Sequence, residues 1–247
     1  MKDYFEKHFA FRWLNGELKP IENFDDIDMD TLLEIDEQKN RVIQNVKAFI
    51  SNKPFLNMLL WGERGCGKSS LIKSVITKFK KQNLKIVELR KENIEKIYTL
   101  YEILRKHSEK FLLFFDDISF DYRDSSYRQF KSVLEGGIEK TPSNVMFAAT
   151  SNKRHLIKDK VLNTDDIYDS DEINEQMSLY GRFGLIIGFY PLNSRQFLNI
   201  VSYYLKNYSI NYYADWQKDA ESYAIARGEK SARIAKQFAI YKTLDTE

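Results

Sequence analysis

The chain has 247 residues, 43% hydrophobic and 30% charged, a balance that excludes a disordered polymer and suits one large folded domain with at most a small appendage. Its 38 basic and 36 acidic side chains leave a formal net charge of +2, so any nucleic-acid or membrane surface must be a local patch rather than a global field. One cysteine, Cys66, excludes an internal disulfide; apolar runs too short for a bilayer span and an N-terminus without a signal-peptide core complete the expectation of a cytoplasmic protein with no membrane partner.

Residues 1–34 are aromatic and then acidic, without clear periodicity, and read as an N-terminal extension packing on the core that follows. From Glu37 to Ile50, the apolar Val42, Val46, Phe49 and Ile50 recur at helical spacing. Short apolar runs then alternate with helical patterns. NMLLW (57–61) precedes a helix carrying Leu71, Ile72, Val75, Ile76 and Phe79. KIVEL (85–89) precedes a polar helical stretch reaching about His107. FLLFF (111–115) precedes a helix with Tyr127, Phe130, Val133 and Leu134, which Gly136 and Gly137 should end. NVMFAAT (144–150) and GLIIGF (184–189) read as two more strands. Buried, continuously apolar strands alternating with helices predict an α/β fold: a parallel sheet flanked by helices over 35–190. After Pro191 only helical patterns remain. Asn193 with Gln196 marks an N-cap, and three amphipathic stripes predict a small all-helical lid over 191–247.

The strand NMLLW runs straight into Gly62-Glu63-Arg64-Gly65-Cys66-Gly67-Lys68-Ser69, which matches G-x-x-x-x-G-K-[ST] between a strand and an amphipathic helix. Glycines let successive backbone N–H groups turn inward on phosphate oxygens, and the helix N-terminus adds partial positive charge. Lys68 would reach the β- and γ-phosphates, Ser69 would ligate Mg²⁺, and Ser70 follows at the helix start. Cys66 reads as a small residue tolerated in a tight loop. FLLFFDD ends in two carboxylates: in a phosphate-loop protein Asp116 would help to hold the magnesium ion and Asp117 would polarise an attacking water. At the end of the next strand, AATSN offers Asn152 as the group that meets the γ-phosphate or the water beside those acids, with Ser151 as the competing candidate.

Together these residues resemble the AAA+ ATPases. The likeness covers roughly residues 35 to 245, with GERGCGKS as Walker A, FLLFFDD as Walker B, ATSN as sensor 1, LYGRFG as the arginine-finger segment and KSARIAKQF as sensor 2. It is nearest to an uncharacterised bacterial AAA+ family sharing LLWGxRGxGKSS, DDxSF, ATSNxRHL and SLxxRFGL phrases. The resemblance implies a P-loop ATPase binding ATP with Mg²⁺, assembling as a homo-oligomer, ring or filament, and remodelling or loading a protein or nucleic-acid client. Through it alone, Arg182 becomes the finger that enters a neighbouring subunit's site and Arg233 the sensor 2 contact to phosphate in cis. Ile35 becomes the candidate base-packing residue, with Trp61 left as a strand-packing one. Lys230 and Lys236 read as surface charge.

The region LRKENIEKIYTL carries Tyr98 but lacks the aromatic–hydrophobic–glycine triplet of threading unfoldases. The lysines of TKFKKQNLK (77–85) read as helix-end charge and the acidic stretch 163–176 as a solvated or docking loop. A slow nucleotide switch that holds a partner in its ATP form is the alternative class, and a small-molecule kinase a third.

Overall fold

A computed structural model describes residues 2–120, 126–135, 139–153, 181–210 and 214–244. Its centre is a seven-stranded sheet in the order β2-β1-β4-β5-β6-β3-β7. The strands are β1 (Ala10–Leu14), β2 (Glu17–Pro20), β3 (Met58–Gly62), β4 (Leu84–Leu89), β5 (Lys110–Phe115), β6 (Val145–Ser151) and β7 (Leu185–Phe189). Every neighbouring pair is parallel except β1 with β2, which form an antiparallel hairpin. The five strands expected from apolar runs are all present. Residues 10–20, read from the sequence as part of an extension lying on the core, instead extend the sheet itself beyond β4. Strand β2 is too short and too polar for its period to register, and Asn15 and Gly16 turn the hairpin with positive φ.

Strand parity divides the core in two. Leu59, Phe111, Leu113, Phe115, Val145 and Phe147 face one side and pack with α1 (Lys2–Lys7), α4 (Ile97–Leu104) and α5 (Ser126–Glu135). Met58, Leu60, Leu112, Phe114 and Met146 face the other, under α2 (Asp36–Ile50) and α3 (Lys68–Phe79). Because successive side chains of a strand point to opposite faces, a sheet covered twice must be apolar at every position. That requirement explains the unbroken FLLFF. Stretch 91–104, expected to be polar and helical, is a 3-10 turn followed by α4, whose Ile97, Leu100, Tyr101 and Leu104 are buried. Tyr98 therefore sits on a helix, not at a loop tip. Gly136 and Gly137 and the acidic stretch 163–176 lie outside the described residues.

Helices α6 (Ser194–Asn207), α7 (Trp216–Ala226) and α8 (Ala232–Leu244) form a separate apolar cluster around Phe197, Val201, Leu205, Ala235 and Phe238. Helix α6 starts with a reciprocal cap: Gln196 N donates to Asn193 Oδ1 at 2.9 Å, and Asn193 N donates to Gln196 Oε1 at 3.1 Å. Two orphan amides at the helix start are satisfied at once. Among the described residues, no helix is long and apolar enough to cross a membrane.

Candidate functional site

At the C-terminal edge of the sheet, where open α/β folds hold ligands, lies a cavity of about 960 Å³. The loop after β3 forms one wall. Gly62, Gly65 and Gly67 take φ of +136°, +72° and +93°, which side chains with a Cβ rarely adopt. Gly62 is the most constrained: a Cβ there would lie 1.8 Å from the Phe189 carbonyl oxygen of β7. Gly62→Ala should therefore cost on the order of 2–5 kcal/mol of stability, from backbone strain plus overpacking. Chemical denaturation measures it, and a variant as stable as the parent would contradict this account of the loop.

Lys68, the first residue of α3, is only 7% exposed. Its Nζ donates to the carbonyls of Gly62 and Glu63, both at 2.7 Å, and to Asn152 Oδ1 at 3.1 Å. Burial lowers its pKa from the ordinary lysine value, while Asp116 and Asp117 pull the other way without bonding it. Cys66 is buried and burial raises its thiol pKa; the site does not activate it.

The acids after β5 are held from three sides. Ser69 Oγ and Thr150 Oγ1 both donate to Asp116 Oδ1 at 2.6 Å. Asp117 N donates to Thr150 Oγ1 at 2.8 Å, and the Asn152 amide donates to Asp117 Oδ1. Asp117 has φ +52°, a left-handed conformation that aspartate tolerates better than most residues. Of the two candidates on the AATSN strand end, Asn152 borders the cavity while Ser151 is buried and accepts from Lys153 N. Thr150 is the residue that sequence reasoning passed over. The signal was slight: a hydroxyl two residues before Asn152, paired across β5 and β6, a register visible only in the sheet.

The donor chemistry suits a magnesium ion carried on a polyphosphate. Ser69 Oγ and Asp116 are hard oxygen donors already in contact, and magnesium is usually held by one or two protein groups plus phosphate and water. Buried Lys68 bonds only neutral acceptors, the arrangement of a cation kept for an anion from outside. Ser69 and Asp116 would hold the ion, and its chemistry would be to neutralise charge on the phosphates.

The remaining candidates divide. Arg64, Gly65, Cys66, Gly67, Ser69, Ser70, Ile35 and Arg233 border the cavity, whereas Gly62 and Glu63 do not; those two meet Lys68 through their carbonyls. Arg233 also touches the loop through its backbone, its N donating to Gly65 O at 3.3 Å. Lys236 is exposed, as expected of surface charge, and also borders the cavity one turn further along α8, while Lys230 is bound to Ser194 and Glu221. Ile35 lies with its Cδ1 3.5 Å from where a Cβ on Gly67 would stand. Trp61 is elsewhere, edge-on to Tyr190 with ring centroids 5.6 Å apart. Arg182 is outside the cavity of its own chain and forms a 2.6 Å ion pair with Glu135 at the end of α5.

Sequence reasoning also missed the far wall. Segment 25–33 lines the cavity together with Ile200 and Tyr204 of α6, and its Leu33 packs on the α6–α8 cluster. Ion pairs Asp25–Lys73 and Asp26–Lys80 pin it to α3, and the Lys80 hydrogen bond holds the Asp26 carboxyl below its usual pKa. At its other end Asn199 of α6 donates to Glu34 Oε1. Lys80, part of the basic run, is thus a structural anchor.

A family described as "protein of unknown function (DUF815)" matches residues 6–244. No sequence among the curated proteins matches the chain. Among solved structures, the Aeropyrum pernix Orc1 protein in complex with DNA superposes with a TM-score of 0.61 at 14% identity, covering 89% of this chain and 65% of its own. The Thermotoga maritima RuvB Holliday junction branch migration motor gives 0.54 at 14% identity, covering 86% and 61%. PCH-2 of C. elegans gives 0.51 at 15% identity, covering 76% and 53%. The chain spans less than two thirds of the length of each. The fold shared with these structures is the AAA+ P-loop fold; in this chain its parallel strands run β4-β5-β6-β3-β7, with helices at the C-terminus.

Proposed function

The chain belongs to the DUF815 family, and we propose that it is an AAA+ ATPase that binds Mg·ATP and hydrolyses it to ADP and phosphate. The observation that carries this reading is the continuous chain of bonds Ser69–Asp116–Thr150–Asp117–Asn152–Lys68 around one cavity. Each group has one task in a phosphoryl transfer to water. The loop amides and Lys68 hold phosphates, Asp117 accepts a proton from the attacking water, and Asn152 keeps the Asp117 carboxylate and Lys68 in register. Ile35, Leu32, Leu33 and Tyr204, partly apolar and at the loop's flank, would enclose the base. Arg233 and Lys236 would bring helix α8 onto the phosphates. The test is phosphate release from ATP by the purified chain with and without Mg²⁺; a protein that binds no ATP at millimolar concentration would end the reading.

We further propose that the site is completed by a second copy. Arg182 cannot serve its own cavity, which it does not border, and is exposed at 45%. Asp116 and Asp117 meanwhile also border a second cavity of about 400 Å³ with Arg90 and Lys91, a side open to a neighbour. Arg182→Ala should leave ATP affinity within about threefold and lower turnover at least about tenfold. Adding Asp117→Asn protein should restore part of that turnover in mixed oligomers, because each variant then supplies what the other lacks. Turnover per subunit that is independent of protein concentration would refute a shared site. The energy of hydrolysis would drive movement of α6–α8 against the sheet and so remodel or load a macromolecular client, in a soluble cytoplasmic setting.

A further inference from the structure

We infer that Thr150 is the positioning residue that fixes the Asp116 carboxylate and the Asp117 backbone at once, through one hydroxyl. It rests on the ATPase reading for its consequence but on geometry for its substance. The Thr150 hydroxyl proton goes to Asp116 Oδ1 at 2.6 Å, and its lone pair takes the Asp117 amide at 2.8 Å. The Thr150 carbonyl accepts from Ile118 N, also at 2.8 Å. Three bonds from one residue thus staple the turn after β5 to the end of β6.

The need for the staple follows from the backbone. At Asp117 the chain turns left-handed, φ +52°, and leaves the β5 ladder, so its amide has no sheet partner. Thr150 is 1% exposed, so the bonds it makes are shielded from competing water. A hydroxyl is the only common side-chain group short enough for this place that donates and accepts together. A carboxylate or amide would be larger, and an apolar side chain would leave the Asp117 amide unpaired. Were Ser69 to turn towards a metal ion, Asp116 would lose one of its two donors, and Thr150 would be the bond that keeps Oδ1 in place. The proposed metal-holding acid and the proposed water-polarising acid would then be positioned together. Thr150 borders the cavity, but its hydroxyl is engaged by Asp116 and Asp117 and the residue is 1% exposed, so it acts through those two residues.

Two variants separate this role from simple packing. Thr150→Val keeps the shape and removes both bonds, whereas Thr150→Ser keeps both bonds and removes a methyl group. In the nucleotide-free protein, hydrogen exchange at the Asp117 amide should accelerate in the valine variant and stay near the parent rate in the serine variant. For ATP turnover, the valine variant should lose about 10- to 100-fold in kcat with KM changed less than about threefold, and serine should rescue it. Equal losses in both variants, an unchanged kcat in the valine variant, or parental exchange at Asp117 in the valine variant would each overturn the proposal. Should the parent protein not hydrolyse ATP, the ATPase reading fails, and the exchange comparison still decides the role of Thr150.

Discussion

Lys68→Ala should reduce ATP turnover to background, a loss on the order of 1000-fold, and weaken ATP binding about 100-fold or more. The magnitude follows from where the ammonium sits. It is nearly buried and held by three neutral acceptors, so its attraction to a polyphosphate is not diluted by water. Each hydrogen bond to a charged group contributes about 1.5–3 kcal/mol, and a phosphate oxygen that takes over one of the three ammonium protons from its neutral acceptor gains such a bond. Folding should respond far less. Truncation leaves the Gly62 and Glu63 carbonyls and Asn152 Oδ1 without a partner, but it also removes a desolvated cation. The two effects oppose, and a change within about 2 kcal/mol is expected. Calorimetric titration, phosphate release and thermal melts measure the three quantities. Unaltered ATP affinity in a folded Lys68→Ala protein would remove the loop from the proposed site.

Asp117→Asn should separate binding from chemistry. Asparagine is isosteric, tolerates the left-handed backbone at this position, and can still accept from Asn152 through its own oxygen. ATP affinity is therefore expected within about threefold of the parent. Turnover should fall about 100- to 10,000-fold, because the amide cannot accept the proton of the attacking water. Single-turnover phosphate release measures it. A variant that hydrolyses ATP at the parental rate would transfer the base role away from Asp117. The trapped ATP form also tests whether a client exists: co-purification followed by identification of bound protein or nucleic acid reads what, if anything, the nucleotide state holds.

Much of the candidate site is legible in the sequence alone. GERGCGKSS carries its own geometry, since glycines that must turn, a lysine and a hydroxyl at fixed spacing leave few other uses. FLLFFDD was legible for a different reason: a strand buried on both faces is apolar until it leaves the sheet, so the first charges mark its end. Thr150 was not legible, because its importance depends on which residue of β5 it meets across the ladder. Nor was the 25–33 wall, whose residues are far in sequence from the loop and lack periodicity. Lys236 is exposed, as a lysine on a helix face suggests, but nothing in its local sequence showed that α8 brings it to the edge of the cavity.

Local chemistry was enough for the strand–loop–helix unit, the cap at Asn193 and the identity of the acids, because those depend on residues adjacent or one helical turn apart. Tertiary structure alone decided three things. It turned residues 10–20 into edge strands, since a hairpin that finds an open ladder gains hydrogen bonds that its weak pattern does not advertise. It joined Asp116 and Asp117 through one hydroxyl from the neighbouring strand. It set Arg182 against Glu135, away from its own cavity. Each is a contact between segments tens of residues apart, and single-sequence periodicity holds no information about separations of that kind.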